Sequence, residues 1–173
     1  MGDFWSWAYS NPLINVDRGV LAEFLVGHVL GVVEGVREPW DPYDLVYSGH
    51  PIEVKSSSYI QAWSQEGSLT TPTFGIEATG AWAYNSEGAY AYNAEHKRRA
   101  SVYVFCLYAE TDLSKANVLD VPAWEFYVLP TERIDAELGP QKRIGLGTLR
   151  KMTDPVRYPA LRERVDEVLG TLQ

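Results

Sequence analysis

The stretch "YDLVYSGHPIEVKSSSYIQAW", Tyr43–Trp63, decides how the chain is read. It alternates apolar and polar residues over two short runs, Tyr43–Tyr47 and Ile52–Ser56, separated by Ser48-Gly49-His50-Pro51. Alternation of this kind marks half-buried strands, and a Gly-containing spacer between them predicts a hairpin. Strand parity then fixes the faces. Ile52 and Val54 share one face and turn to the core, while Glu53 and Lys55 share the other, next to each other. Asp44 stands at the start of the hairpin. Valines would build a better sheet at all three charged positions, so the pattern needs a chemical reason.

Working outward, Pro39-Trp40-Asp41-Pro42 is a turn cluster closing a helical region upstream. Asp17 reads as an N-cap for a helix running to Glu34 or Gly35. Its apolar arc is Val20, Leu21, Phe24, Leu25, Val29 and Val32, with Val16 and Val26 on the other side, so the helix is expected to be covered on most sides. Glu23 is the acid inside this helix. A half-buried carboxylate without a partner loses its charge or costs several kcal/mol, roughly 2–7, so Glu23 is expected to face a cation, a donor or an open cleft. Downstream, Thr73–Glu77 reads as a third strand. Gly80–Asn93 reads as an irregular aromatic segment or a loosely wound helix. Ser101–Tyr108 (SVYVFCLY) is apolar throughout and therefore a central strand, and Trp124–Leu129 (WEFYVL) is another. Leu146–Lys151 reads as a short segment. Leu161, Val165, Val168, Leu169 and Leu172 recur at helical spacing, placing a helix over about 160–172.

The whole, 173 residues, is expected to form one domain with an aromatic N-terminal arm, 1–15, because the chain is long enough to bury a core and carries no internal repeat. Its fold class is a mixed α/β sandwich. The single cysteine, Cys106, lies in the apolar strand and reads as a buried hydrophobe. No apolar run is long enough to cross a bilayer and no secretory pattern opens the chain, so the expected location is cytoplasmic, with no membrane partner. The net charge of −8 argues against nucleic-acid binding by bulk charge, because that affinity comes from cations on phosphate. Any such contact must be local. The basic residues that gather are His96-Lys97-Arg98-Arg99 and the set Lys142, Arg143, Arg150 and Lys151.

Two carboxylates from adjacent strands, with a backbone carbonyl between them, form a hard oxygen-donor set that suits a small divalent ion, magnesium above all. A lysine two residues after the second acid lies on the same face, placed to serve an attacking water or to offset charge on a phosphorane-like transition state. Metal and lysine together describe phosphodiester hydrolysis. The same residues fit a surface-charge reading too, in which the acids are unrelated.

On Glu23 in "RGVLAEFLVG", Asp44 in "WDPYDLVY" and Glu53-Val54-Lys55 in "GHPIEVKSSSYIQAW", the sequence resembles the PD-(D/E)xK nuclease superfamily, in particular a group of uncharacterised bacterial members. The resemblance covers Arg18 to about Trp63. It implies a restriction-endonuclease-like mixed sheet flanked by helices, with core order α-β-β-β-α-β. It further implies Asp44, Glu53 and the Val54 carbonyl as magnesium ligands, with manganese able to substitute, and Glu23 as an auxiliary acid acting through water. Lys55 would be base or stabiliser, and Gln61 resembles a glutamine that some branches add from the following helix. Pro42 stands one place earlier than the family pattern has it, with Tyr43 before the acid. The implied function is a magnesium-dependent DNA endonuclease of restriction or host-defence type, acting as a homodimer. Its phosphate contacts would be Lys97, Arg98, Arg99, Arg143, Arg150 and Lys151. The alternative is an inactive module of the same fold that binds nucleic acid or protein.

Overall fold

The computed structural model describes residues 2–35, 37, 41–63, 65, 67–84 and 90–172. Within the aromatic N-terminal arm the chain opens on a short helix α1, Gly2–Ala8, none of whose residues is buried. Trp5 and Tyr9, one turn apart, stack at 5.9 Å, and both remain exposed with Phe4 and Trp7. Helix α2 spans Asn15–Leu30. Its N-cap is Ile14, so Asp17 falls in the first turn, where its charge still complements the helix dipole. The helix stops before the predicted Glu34 or Gly35 because Gly31 adopts the left-handed conformation, φ 76°, that closes helices. Nor is it covered on most sides. Ala22, Leu25, Val26 and Leu30 are buried, whereas Val16 and Phe24 are exposed, so the buried face takes in Val26 and leaves out Phe24, against the expected arc.

The predicted hairpin is present as β1, Leu45–Tyr47, and β2, His50–Ser58. Ser48 and Gly49 both have positive φ, 50° and 80°, which is the turn whose twist matches a two-residue hairpin. The chain then leaves the sheet for β3, Thr73–Gly75, and a ribbon of β4, Thr79–Tyr84, and β5, Tyr90–Lys97. The ribbon replaces the irregular or helical segment read over Gly80–Asn93. Tyr and Trp alternate there with Ala, and Trp82 pairs in register with Tyr92 as Tyr84 does with Tyr90. That period of two was obscured by the Gly, Ala and Asn content. The tip of the predicted segment, residues 85–89, lies outside the described residues.

The chain returns as β6, Val102–Tyr108, and β7, Trp124–Pro130, followed by α3, Thr131–Leu138, β8, Arg143–Gly145, α4, Leu146–Met152, and α5, Leu161–Gly170. Four strands form the main sheet in the order β1-β2-β6-β7, with β2 and β6 parallel and the other pairs antiparallel. The fold is therefore mixed α/β, a mixed sheet with helices on its flanks. Its finer order differs from α-β-β-β-α-β. The Thr73 strand joins β8 in a separate two-stranded sheet. Among the described residues no helix separates the strands of the main sheet, since β6 and β7 are antiparallel and need only two 3-10 turns between them. The helix expected within the core comes after β7, as α3.

Both faces of the sheet are packed, so all seven residues of β6 are buried, Cys106 included. On one face Ile52, Val54, Val104 and Trp124 meet α2 and α5. On the other, Phe105, Leu107 and Tyr127 meet Phe74, Ile134 and Leu149. Each large apolar side chain so buried contributes about 1.5–3 kcal/mol, which makes the paired β2–β6 centre a rigid platform. No helix among the described residues is long and apolar enough to cross a membrane.

Candidate active site

Parity along β2 puts Ile52 and Val54 into the helix-covered core, at 0% and 6% exposure. Glu53 and Lys55 therefore turn to the opposite face, beside their β6 register partners Tyr103 and Phe105. Leu45 pairs with Ile52. Asp44 stands just before β1, near enough to Glu53 for the two charges to interact. The Asp44 N–H donates to the Ile52 carbonyl at 3.1 Å, which holds the residue in line with β1. The hairpin thus sets two carboxylates and a lysine side by side.

β1 pairs only with His50 to Ile52, so among the described residues the edge of β2 beyond that point has no strand beside it. Asp44 fills the gap. Its Oδ2 accepts the Val54 N–H at 2.7 Å, replacing the missing backbone acceptor. Lys55 Nζ donates to Glu53 Oε1 in an ion pair whose side chains are 33% and 18% exposed. Burial, and then the charge of Glu53, push the Asp44 carboxyl up to about 6, with Glu23 adding to the rise while Lys55 and the Val54 N–H oppose it. For Lys55 burial is the largest single influence and works against its charge. The surrounding Glu53, Asp44 and Glu23 more than compensate, and its pKa lies above the ordinary lysine value. Lys55 is thus a cation. Tyr103 is held as a neutral phenol, its pKa raised by burial and by the Glu53 charge.

Glu23 projects from α2 and is engaged by Arg37, whose Nε donates to Oε2 and whose second nitrogen donates to Oε1 at 2.8 Å. That contact holds the arginine's pKa above its usual value. The charge of Glu23 reaches both Asp44 and Lys55. Between α2 and β1 a cleft of about 400 Å³ is lined by Glu23, Phe24, Val33, Arg37, Tyr43 and Asp44, among others. Glu53 and Lys55 do not line it, so Asp44 stands where the cleft meets the sheet-face pair.

Among the described residues no three His, Cys, Asp or Glu side chains group tightly enough to hold a metal ion. The donor set on offer is Asp44, Glu53 and the Val54 carbonyl, with Glu23 tied to Arg37. These are hard oxygens, and three carboxylates against Lys55 and Arg37 leave one net negative charge. They fit a small dication that completes its shell with water.

Gln61 is buried, donates from Nε2 to the Ser58 carbonyl at 2.8 Å, and leaves Oε1 unpartnered. It lies in a bend after β2, where a following helix was expected, because Ser58 Oγ folds the chain back onto Ile60. None of its hydrogen bonds reaches Asp44, Glu53 or Lys55.

The basic residues fall into different environments. Arg98 is a structural tie, its side chain 3% exposed, bonding the carbonyls of Ile76, Gly139 and Gln141 and pairing with Asp135. Arg99 bonds the carbonyls of Thr79 and Glu95. Lys97 pairs with Glu95, Lys142 with Glu77, and Arg150 with Glu125 and the Tyr127 hydroxyl. Arg143 and Lys151 are exposed. Two site residues escaped the sequence reading. Arg37 was hidden because its pairing with Glu23 depends on the path after Gly31, and Tyr103 was visible only once β6 was set beside β2.

No protein-family model matches this chain, and no curated protein matches it. A solved structure of a bacterial homing endonuclease aligns with it at a TM-score of 0.40 and 18% sequence identity, over 88% of this chain and 91% of the other.

Proposed function

We propose that this chain is a magnesium-dependent nuclease of the PD-(D/E)xK type that hydrolyses phosphodiester bonds, acting as a DNA endonuclease in restriction or host defence. The observation that carries the reading is the meeting of Asp44, Glu53 and a charged Lys55 at an edge of the sheet that β1 leaves open. Asp44, Glu53 and the Val54 carbonyl would hold the ion, and manganese would serve in its place. When bound, the ion supplies charge neutralisation and a water of lowered pKa. Lys55, kept protonated by its acidic neighbours, orients that water and offsets the negative charge that grows on the phosphate oxygens. This favours the stabilising role over the base. One such site cuts one strand, so cleavage of a duplex calls for two copies, and a homodimer follows.

The test is incubation of plasmid and single-stranded oligonucleotides with magnesium or manganese, alongside calorimetric titration of the ion. Wild type should cut and bind. Asp44→Ala and Glu53→Ala should lose ion binding, and Lys55→Ala should lose cleavage. Cutting that survives in the lysine variant, or a wild type that takes up no ion, defeats the proposal. A second reading, an uncatalytic module of this fold binding nucleic acid or protein, is favoured by the two internal ion pairs, Glu23–Arg37 and Glu53–Lys55, that already engage the acids. It requires binding without metal and no cleavage.

A further inference from the structure

A cluster of carboxylates repels the phosphodiester it is meant to receive, so a nuclease site of this kind needs a cation on the side from which the substrate enters. Lys55 is committed to Glu53 on the sheet face and does not line the cleft. Among the described residues expected to contact phosphate, none makes a hydrogen bond or ion pair with Glu23, Asp44 or Glu53. Arg98 is enclosed, and Lys97, Arg99 and Arg150 are engaged with other groups. Arg37 is placed differently. It lines the cleft with Asp44, its side chain is 48% exposed, and its charge reaches Asp44.

The form of its contact is informative as well. Arg37 grips both oxygens of Glu23 through two nitrogens. That planar fork matches two oxygens of a phosphate as well as two of a carboxylate, which a lysine ammonium cannot do. A guanidinium has five N–H donors, so donors remain after Glu23 is served.

Resting on the nuclease reading, we infer that Arg37 is the residue that binds the substrate phosphate at this site, held on Glu23 until a phosphodiester takes the carboxylate's place. When the backbone enters the cleft, the fork passes from carboxylate to phosphate, and Glu23 is released toward the water-filled space beside Asp44. The ion pair is a resting position, and the cleft is the path of the scissile strand.

The test uses the full chain with fluorescein-labelled single-stranded and duplex DNA. Binding is followed by anisotropy over a salt series without magnesium, and cleavage is followed with it. Losing one phosphate contact lowers the slope of log K against log salt by about 0.7 for a single strand and about 0.9 for a duplex. Arg37→Gln should show that loss, cut on the order of a hundredfold more slowly, and still take up magnesium in calorimetry. Arg37→Lys should recover the slope but only part of the rate, because a point charge replaces a fork. If Arg37 served only to neutralise Glu23, adding Glu23→Gln to Arg37→Gln would restore slope and rate together; that restoration overturns the inference. So does a salt slope unchanged in Arg37→Gln. The two levels separate cleanly. A wild type that binds neither ion nor DNA removes the nuclease reading and this inference with it. Wild-type cleavage that needs Lys55 but is indifferent to Arg37 removes this inference alone.

Discussion

Replacing Asp44 with asparagine should make the metal-free protein more stable, and the gain should depend on pH in a defined direction. Asparagine keeps the shape and an oxygen able to accept the Val54 N–H, but it no longer sets a charge near Glu53. The Asp44 carboxyl moves from 3.8 to about 6 on folding, chiefly through burial and then through Glu53. At about 1.4 kcal/mol per pKa unit this sets the cost of the ionised group near 3 kcal/mol. The folded protein binds this proton more tightly than the unfolded chain, so the Asp44 contribution to stability is most favourable below about pH 4. It then falls as pH rises towards 6 and stays low above it. The Asp44→Asn variant lacks this dependence. Urea titrations should therefore show it roughly 2–3 kcal/mol more stable than wild type at about pH 8, with an unchanged m-value, and nearly equal at about pH 4. In thermal melts each kcal/mol is worth roughly 2–4 °C for a chain of this size. Adding magnesium should stabilise wild type alone and narrow the gap, by an amount growing with the logarithm of ligand over dissociation constant. Equal stability at pH 8, or a gap of the same size at pH 4, would refute the account of Asp44 as a carboxylate held against its preference.

Two further outcomes test the frame around the site. Arg98→Gln should cost about 1–3 kcal/mol in urea titration, because it takes donors from three carbonyls around an enclosed guanidinium, while the exposed Asp135 turns to water. Full stability with weakened DNA binding would return Arg98 to the phosphate-contact set. Trp124→Phe should lower stability by about 1–3 kcal/mol in the same assay, since the indole N–H donates to the Val118 carbonyl at 2.8 Å in a fully buried setting. A variant as stable as wild type would mean that the carbonyl finds another donor.

Which parts were legible follows from how local each signal is. The hairpin, the side-by-side placement of Glu53 and Lys55, and the position of Asp44 at the hairpin's start all depend on signals within about ten residues of chain, and Ser48-Gly49 supplies the turn. The apolar runs of β6 and β7 and the spacing of Leu161, Val165 and Leu169 in α5 are equally self-contained. By contrast, β3 pairs with β8 across the length of the chain, and nothing near Thr73 names Gly145 as its partner. Helix α3 has only Ile134 and Leu138 as large apolar residues, one turn apart, too little periodicity to stand out beside the preceding strand. The basic cluster at Lys97–Arg99 has the composition of a solvated face. Only tertiary structure reveals that Arg98 ties the segment after β5 to the end of α3. Glu23 needed a partner on physical grounds, but the identity of that partner, Arg37, waited on the chain's path after the Gly31 turn.

The shortness of β1 connects fold to chemistry. In a strand the N–H and C=O of one residue point the same way, so the Val54 carbonyl faces the edge on which its N–H meets Asp44. β2 has nine residues and β1 has three, which among the described residues leaves that edge without a backbone partner after Ile52. A longer β1 would pair both groups of Val54, place a main chain where the Asp44 carboxylate lies, and seal the Val54 oxygen in a ladder bond. An unpaired group in so buried a setting costs about 1–3 kcal/mol unless something satisfies it. Asp44 meets the N–H and leaves the carbonyl facing the same edge, where it would be a third oxygen for the proposed ion. The hairpin therefore gives up sheet pairing along β2 after Ile52 and gains an oxygen-rich corner at the mouth of a cleft. The charged residues that build poor strands stand where the strand has been cut short.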